Sequence, residues 1–320
     1  MTSLALEVLL LVAGIGTLYF GAEWLVRGAA RLAGSLGVSP IVVGLTVVSF
    51  GTSAPELVVC SVAAFRDNAD LAVGNVMGSN LANMGLILGL TALVRPLDVA
   101  SRVVWREVPL MVIVTAAFYP LAFDGELGRG DGVVFLLALA AYLLFVFQSV
   151  EDEAPEIMGE YEEFLKESSA SATRVRLGDV GLVVAGCACL VLGGYAIVEA
   201  ATAVAGFLGV SQTVIGLSVV AVGTSLPELA TSVVAAMHDE ADIAVGNVVG
   251  SNIFNFAAIL GTASVIRPLP IAGTVLTREL PAVLIMSALL FPMLRTGWRI
   301  QRWEGAVLLG GYLWLGYWLI

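Results

Sequence analysis

Glu56 and Glu228 are carboxylates placed where an apolar chain has least use for them. They sit in GTSAPEL (Gly51–Leu57) and GTSLPEL (Gly223–Leu229), each inside a run of residues that otherwise reads as a membrane-spanning helix. A charged side chain at the centre of a bilayer costs about 3 kcal/mol or more, so the two mark a functional site. Each motif also follows a serine, three residues on, with its glutamate, and sets proline between them. That is the capping-box pattern, with proline in the first helical turn, where its missing N–H does no harm. It predicts that one helix ends near Gly51 while another starts at Ser53, and the same at Ser225. Backbone unwound at membrane depth survives only where it lines a cavity or is buried in protein. Serine alone can cap a helix, so capping does not explain the glutamates.

A second pair of segments supplies partners. GNVMGSNLAN (Gly74–Asn83) and GNVVGSNIFN (Gly246–Asn255) carry Ser79 and Asn83, and Ser251 and Asn255, four residues apart on one helix face. Small residues at spacing four, such as Gly74 and Gly78, let helices approach, and asparagine can bridge them. Helix packing is the reading for Asn75, Asn80, Asn247 and Asn252; ligation is the reading for Ser79, Asn83, Ser251 and Asn255. The convergent groups are carboxylates, carboxamides, hydroxyls and freed carbonyls, all oxygen donors. No histidine or cysteine joins them, so a hard cation fits and zinc, copper and iron do not. Two glutamates suit Ca²⁺ better than Mg²⁺, which gives up water reluctantly, and they repel anions.

The elements that must position these residues are membrane helices. The chain has 320 residues, 59% hydrophobic and 13% charged, with mean hydropathy +0.96. A soluble domain is nearer half apolar and a quarter charged. Ten apolar stretches are long enough to span a bilayer: 4–24, 38–65, 71–94, 107–123, 131–149, 179–205, 210–237, 243–266, 279–294 and 302–320. The first lacks a basic leader and carries Glu7, unlike a signal peptide. Much of the net charge of −11 lies in Glu151–Glu167, a solvated linker by composition. Cys60, Cys187 and Cys189 fall within spans as small apolar residues, and His238 is a lone loop histidine. No nucleophile–base pair, phosphate loop or metal-activated water set points to an enzyme.

Shifted by 172 residues, the sequence matches itself without a gap. Gly37–Leu57 meets Gly209–Leu229, Asp70–Asn83 meets Asp242–Asn255, and Arg95-Pro96-Leu97 meets Arg267-Pro268-Leu269, with more than half of the positions between Gly37 and Leu97 identical. Five spans per half make equivalent helices cross in opposite directions. The expected fold is an all-α polytopic membrane protein of ten helices in two inverted five-helix repeats, with helices 2 and 7 broken. The halves are 1–150 and 179–320, joined by an acidic cytoplasmic linker, 151–178. Loops of odd number hold eleven basic residues and even ones four, Arg66, Arg129, Arg267 and Arg278, which puts the odd loops in the cytoplasm and both termini outside. Inverted repeats are the architecture of secondary transporters, with the site near the midplane between the halves.

The two GTS-x-PE motifs and the two GNVxGSN segments resemble the α-repeats of the calcium/cation antiporter superfamily, in particular prokaryotic sodium/calcium exchangers, over essentially the whole chain. The resemblance implies that Glu56 and Glu228 ligate calcium, with the carbonyls of Thr52 and Thr224 completing its shell. It implies sodium sites using Ser53, Ser225, Ser79 and Ser251, with carbonyls at Ser49 and Ala221, and it matches Asn83 and Asn255 to a family position after the GSN serine. Some relatives carry aspartate where Asn255 stands, so this site has two acidic groups, and stoichiometry and proton use stay open. Cys60, which aligns with Ser232, is read as packing.

The expected function is a secondary active antiporter exchanging Ca²⁺ for Na⁺ by alternating access, in the direction of calcium efflux. A H⁺/Ca²⁺ exchanger on the same frame is the open alternative, and the four site serines favour sodium. A cation channel needs a continuous pore and usually oligomeric symmetry, whereas a repeat within one chain describes a self-contained monomer. The expected partners are calcium, sodium and the lipid bilayer, with no cofactor and no nucleic acid. The short linker suits a bacterial or archaeal inner membrane. The first and sixth spans carry few polar groups and are expected to slide over the rest.

Overall fold

The computed structural model describes residues 4–167, 177–207, 223–295 and 297–319. Its helices are α1 (Leu4–Leu36), α2 (Pro40–Thr52), α3 (Ala54–Phe65), α4 (Ala69–Val94), α5 (Val103–Leu121), α6 (Arg129–Glu167), α7 (Leu177–Phe207), α8 (Leu226–Met237), α9 (Ala241–Ile266), α10 (Val275–Arg295) and α11 (Arg302–Leu319). Among the described residues seven are long and apolar enough to cross a membrane, or eight if α2 and α3 count as one span. Those two meet at Ser53 with a bend of 47°. Proline at the start of α2, α3 and α8 presets the backbone for a first turn.

Some boundaries differ from the expected ones. Helix α1 runs on to Leu36, so Arg27 and Arg31 lie on it rather than in a loop. It stops at Gly37, whose φ of +66° lets the next two N–H groups turn back to Gly34 and Ala33. Helix α6 continues to Glu167, so the acidic stretch expected as a loop is helical that far. Residues 208–222, which include the start of the expected seventh span, and 168–176 of the linker lie outside the described residues.

Several spans contain a π-helical turn: Gly44–Val48, Ala82–Ile87, Val103–Glu107, Asn255–Leu260 and Val275–Glu279. Each inserts a residue into the helical ladder and re-aims the side chains around it, a device common at functional sites. The turns at 103–107 and 275–279 are related by the repeat offset.

Helix α9 is buried from Ile243 to Gly261 and α4 largely so, while α1, α6 and α7 keep broad apolar faces such as Leu9, Phe20, Leu137 and Leu192 outward. Helices α1 and α7 pack on each other through glycine. A methyl added at Gly14 would lie 3.2 Å from the Gly193 carbonyl, one at Gly21 3.0 Å from that of Gly186, and one at Gly28 3.0 Å from that of Asp179. The descending partner numbers make the pair antiparallel. Small residues at seven-residue spacing give the close backbone approach that membrane helices use in place of a hydrophobic driving force.

Helices α4 and α9 also run in opposite directions. Arg95, just past the end of α4, pairs with Asp239 ahead of α9, and Arg267, just past α9, pairs with Asp67 ahead of α4 at 2.8 Å. The connecting loops meet in two short antiparallel ladders: β1 (Leu97–Asp98) with β4 (Arg299–Ile300), and β2 (Glu126–Leu127) with β3 (Leu269–Pro270).

Candidate cation site

The helix starts of α3 and α8 face one another across the two sequence halves. Each bears its glutamate in the first turn, at the positive end of the helix dipole. Ser53 and Ser225 occupy the N-cap positions, yet neither side chain caps its own helix, so the capping box expected from the spacing does not form. The hydroxyls are exchanged instead. Ser53 Oγ donates to Glu228 Oε1 at 3.0 Å, and Ser225 Oγ approaches Glu56 Oε1 at 3.4 Å. The Thr52 hydroxyl goes elsewhere, donating to Asn247 Oδ1 on α9 at 2.9 Å. A carboxylate accepting from the opposite half gains more than a local cap would, because at this depth water is not there to solvate it. Ser79 joins through its hydroxyl, 3.4 Å from that of Ser225.

The rest of the set is held from α4 and α9, where their π turns begin. Asn83 donates from Nδ2 to Asn252 Oδ1 at 3.2 Å, and Asn252 in turn donates to Met111 Sδ at 3.3 Å. With its nitrogen engaged, the Asn83 amide turns its oxygen loose. Ser49 is oriented by carbonyls: its Oγ donates to Gly44 at 2.6 Å and lies 3.1 Å from the Asn247 carbonyl.

What this leaves is a group of buried oxygens without a hydrogen-bond donor: Oε2 of Glu56 and of Glu228, Oδ1 of Asn83 and of Asn255, and Oγ of Ser251. Every one of these residues is at most 1% exposed. Buried acceptors in folded proteins are nearly always satisfied, by protein, water or an ion. Neither glutamate has an ion pair among the described residues, and no described cluster of three histidine, cysteine or acidic residues could hold a metal. Oxygen acceptors of mixed charge with no soft ligand are the donor set of a hard monovalent or divalent cation.

Of the residues expected at the site, the structure links Ser53 with Glu228, links Ser225 with Glu56 and Ser79, and ties Thr52 to Asn247, while Thr224 sits half-buried just ahead of Ser225 and Asn83, Ser251 and Asn255 keep unsatisfied oxygens. Ser49 lies against α9, and Ala221 falls outside the described residues. Asn247 and Asn252, read from sequence as packing, turn out to be bonded directly to site residues. Their place in the same motif as Ser251 was the signal. Cys60 is fully buried and receives the Asn75 amide at 3.4 Å. A cavity of about 670 Å³ opens between Arg95, Asp98, Asp239 and Arg299 and touches none of these residues.

Comparison with known proteins gives one consistent result. The profile of the family described as sodium/calcium exchanger protein matches residues 6–148 and 179–320. The inner membrane protein YrbG of Escherichia coli K12 is 37% identical over 97% of this chain and 96% of its own. The sodium/calcium exchanger MaX1 of Methanosarcina acetivorans is 34% identical over 95% of this chain and 96% of its own. A solved structure of the sodium-calcium exchanger NCX_Mj, soaked with zero Na⁺ and Ca²⁺, superposes with a TM-score of 0.85 at 29% identity, covering 99% of this chain and 100% of that one.

Proposed function

Because the chain belongs to the sodium/calcium exchanger family, we propose that it is a secondary antiporter that exchanges Ca²⁺ for Na⁺ across a bacterial or archaeal inner membrane and extrudes calcium. Calcium and sodium are cargo here, not resident cofactors. The observation that carries this reading is the set of donor-less buried oxygens on Glu56, Glu228, Asn83, Asn255 and Ser251. Calcium is ligated by the two carboxylates and the carbonyls of Thr52 and Thr224, and sodium by the serines at 53, 79, 225 and 251 with the carbonyls of Ser49 and Ala221.

An empty site holds two buried carboxylates with no countercharge, which opposes reorientation. Either calcium or sodium relieves that charge, and both need the same two carboxylates for it, so binding of one displaces the other and transport is exchange. The frame is ten spans in two inverted halves, 1–150 and 179–320, with the 151–178 linker and the odd loops cytoplasmic, both termini outside, and one chain sufficient. The antiparallel courses of α1 with α7 and of α4 with α9 support that arrangement. The glycine-lined α1–α7 pair is the element that slides over the rest. The same free carboxylate oxygens can take protons, so H⁺/Ca²⁺ exchange is the reading to test against. Radioactive calcium uptake into proteoliposomes separates them: an outward sodium gradient drives uptake, and an outward proton gradient alone does not. Uptake with protons only, or none that Glu228→Gln removes, overturns the proposal.

A further inference from the structure

Asn247 lies in the second turn of α9, fully buried, and uses both ends of its amide on α2 and α8. Its Oδ1 accepts from Thr52 Oγ1 at 2.9 Å. Its Nδ2 donates to the main-chain carbonyl of Glu228 at 3.3 Å and to Ser232 Oγ at 3.1 Å. With oxygen and nitrogen both engaged, this amide is not turned toward an ion. It joins the last residue of α2, from the first half, to the first turn of α8, from the second. Helices α2 and α9 are in close contact here, with Ser49 Oγ, which donates to Gly44, lying 3.3 and 3.1 Å from the Gly246 and Asn247 carbonyls. Gly250 allows the close approach, since a methyl there would lie 2.7 Å from the Leu45 carbonyl.

The repeat mate is built differently. Asn75 is only half-buried, and its Nδ2 meets Cys60 Sγ, because Cys60 stands where the second half has Ser232. A thiol is a weak acceptor beside a hydroxyl. The two half-sites therefore carry matched glutamates but unequal supports.

We propose that Asn247 is a positioning residue that holds Thr52 and Glu228 at one separation and thereby sets the preference of the site for calcium over sodium. The proposal rests on the reading of those two residues as ion ligands. Calcium draws about six to eight oxygens to a common distance at once, and so depends on donors from both halves being held together. Sodium, bound at separate positions by the serines, depends on that join less. Residues that orient metal ligands without touching the metal are typically worth ~10- to 100-fold in affinity.

The test is exchange by the full chain in proteoliposomes, reading the calcium KM, the half-saturating sodium concentration and kcat for Asn247→Ala, Thr52→Val and the double variant. Asn247→Ala is expected to raise the calcium KM by about tenfold or more while sodium half-saturation moves by less than about threefold. Thr52→Val removes the hydroxyl that Asn247 accepts, so it reproduces much of the shift, and the double variant adds little to either. Asn75→Ala shifts the calcium KM by less than about threefold. Equal losses for both ions, a fall in kcat alone, additive single effects or no change would each overturn the proposal. Should Asn247→Ala fail to fold, Thr52→Val and Ser232→Ala carry the same comparison. If wild-type vesicles show no calcium flux that Glu228→Gln abolishes, the exchanger reading itself fails, and this inference with it.

Discussion

A buried carboxylate with a free oxygen stabilises nothing until a cation arrives, and this gives Glu56 and Glu228 a testable signature. Calcium at about 100 times its dissociation constant raises the stability of a protein it binds by ~2.7 kcal/mol. Wild type is expected to show that rise as a higher Tm in detergent. Glu56→Gln is expected to lose it and to match or exceed wild type without calcium, since one uncompensated charge is gone. A Tm that falls without calcium would mean the carboxylate is structural. Glu240, in the loop before α9, gives a pH effect of its own. Burial first, and then the neighbouring Asp242 charge, raise its carboxyl pKa, with His238 acting the other way. A raised folded-state pKa makes the ionised form a cost, absent below the ordinary value of about 4.5 and complete above the folded one. Glu240→Gln is therefore expected to raise Tm at pH 7 by a small, screened amount, and that gain is expected to vanish near pH 4. At this scale the sequence showed the residue types and the repeat that pairs them. It did not show that the serines are exchanged between halves, because the local spacing of Ser53 and Glu56 fits a cap equally well. Nor did it separate Asn83, whose oxygen is free, from Asn247, whose amide is fully used.

At the scale of elements, the α1–α7 contact is where a single methyl should matter. A Cβ at Gly186 would sit 2.6 Å from the Leu25 nitrogen and 2.8 Å from the Gly21 carbonyl, both backbone atoms that cannot swing aside. Gly186→Ala is expected to cost about 1–3 kcal/mol of stability by forcing the helices apart. Gly16 meets nothing within 4 Å. Gly16→Ala, on the same α1 helix but off the seam, is expected to be neutral or slightly stabilising, through lower chain entropy. Melting curves of the two variants against wild type settle the comparison, and equal effects would mean the helices do not meet through this seam. The spacing of Gly14, Gly21 and Gly28 was visible in the sequence, but their partners Gly186 and Gly193 could be assigned only once the fold set the helices side by side. The π turns were not visible at all. The segment from Ala82 to Ile87 has ordinary helical composition, and its extra residue is accommodated by what packs around it.

For the whole molecule, the repeat offset becomes a relation between ends. Arg95 with Asp239 and Arg267 with Asp67 are one ion pair written twice, and α4 and α9 run oppositely between them. Ladder β1–β4 accordingly joins loops at one end of this pair and β2–β3 joins loops at the other. The bond between His238 and Glu23, 2.7 Å apart, sits near Asp239 and ties α1 to the loop before α9. At the matching positions 66 and 195 the sequence has arginine and tyrosine, so the tie has no copy in the repeat. The proposed inverted frame presents corresponding loops to opposite compartments, which predicts where each loop is reached from. Asp98 on β1 and Glu126 on β2 are both exposed, so cysteines there report the compartment without disturbing the core. In intact cells an impermeant maleimide is expected to label Glu126→Cys and to spare Asp98→Cys until the membrane is opened, against the background of Cys60, Cys187 and Cys189 in the unsubstituted chain. Labelling of Asp98→Cys alone would reverse the orientation drawn from the arginines and keep the inverted frame. Labelling of both from the same side would remove the frame, because no chain whose halves run oppositely can show both ladders to one compartment.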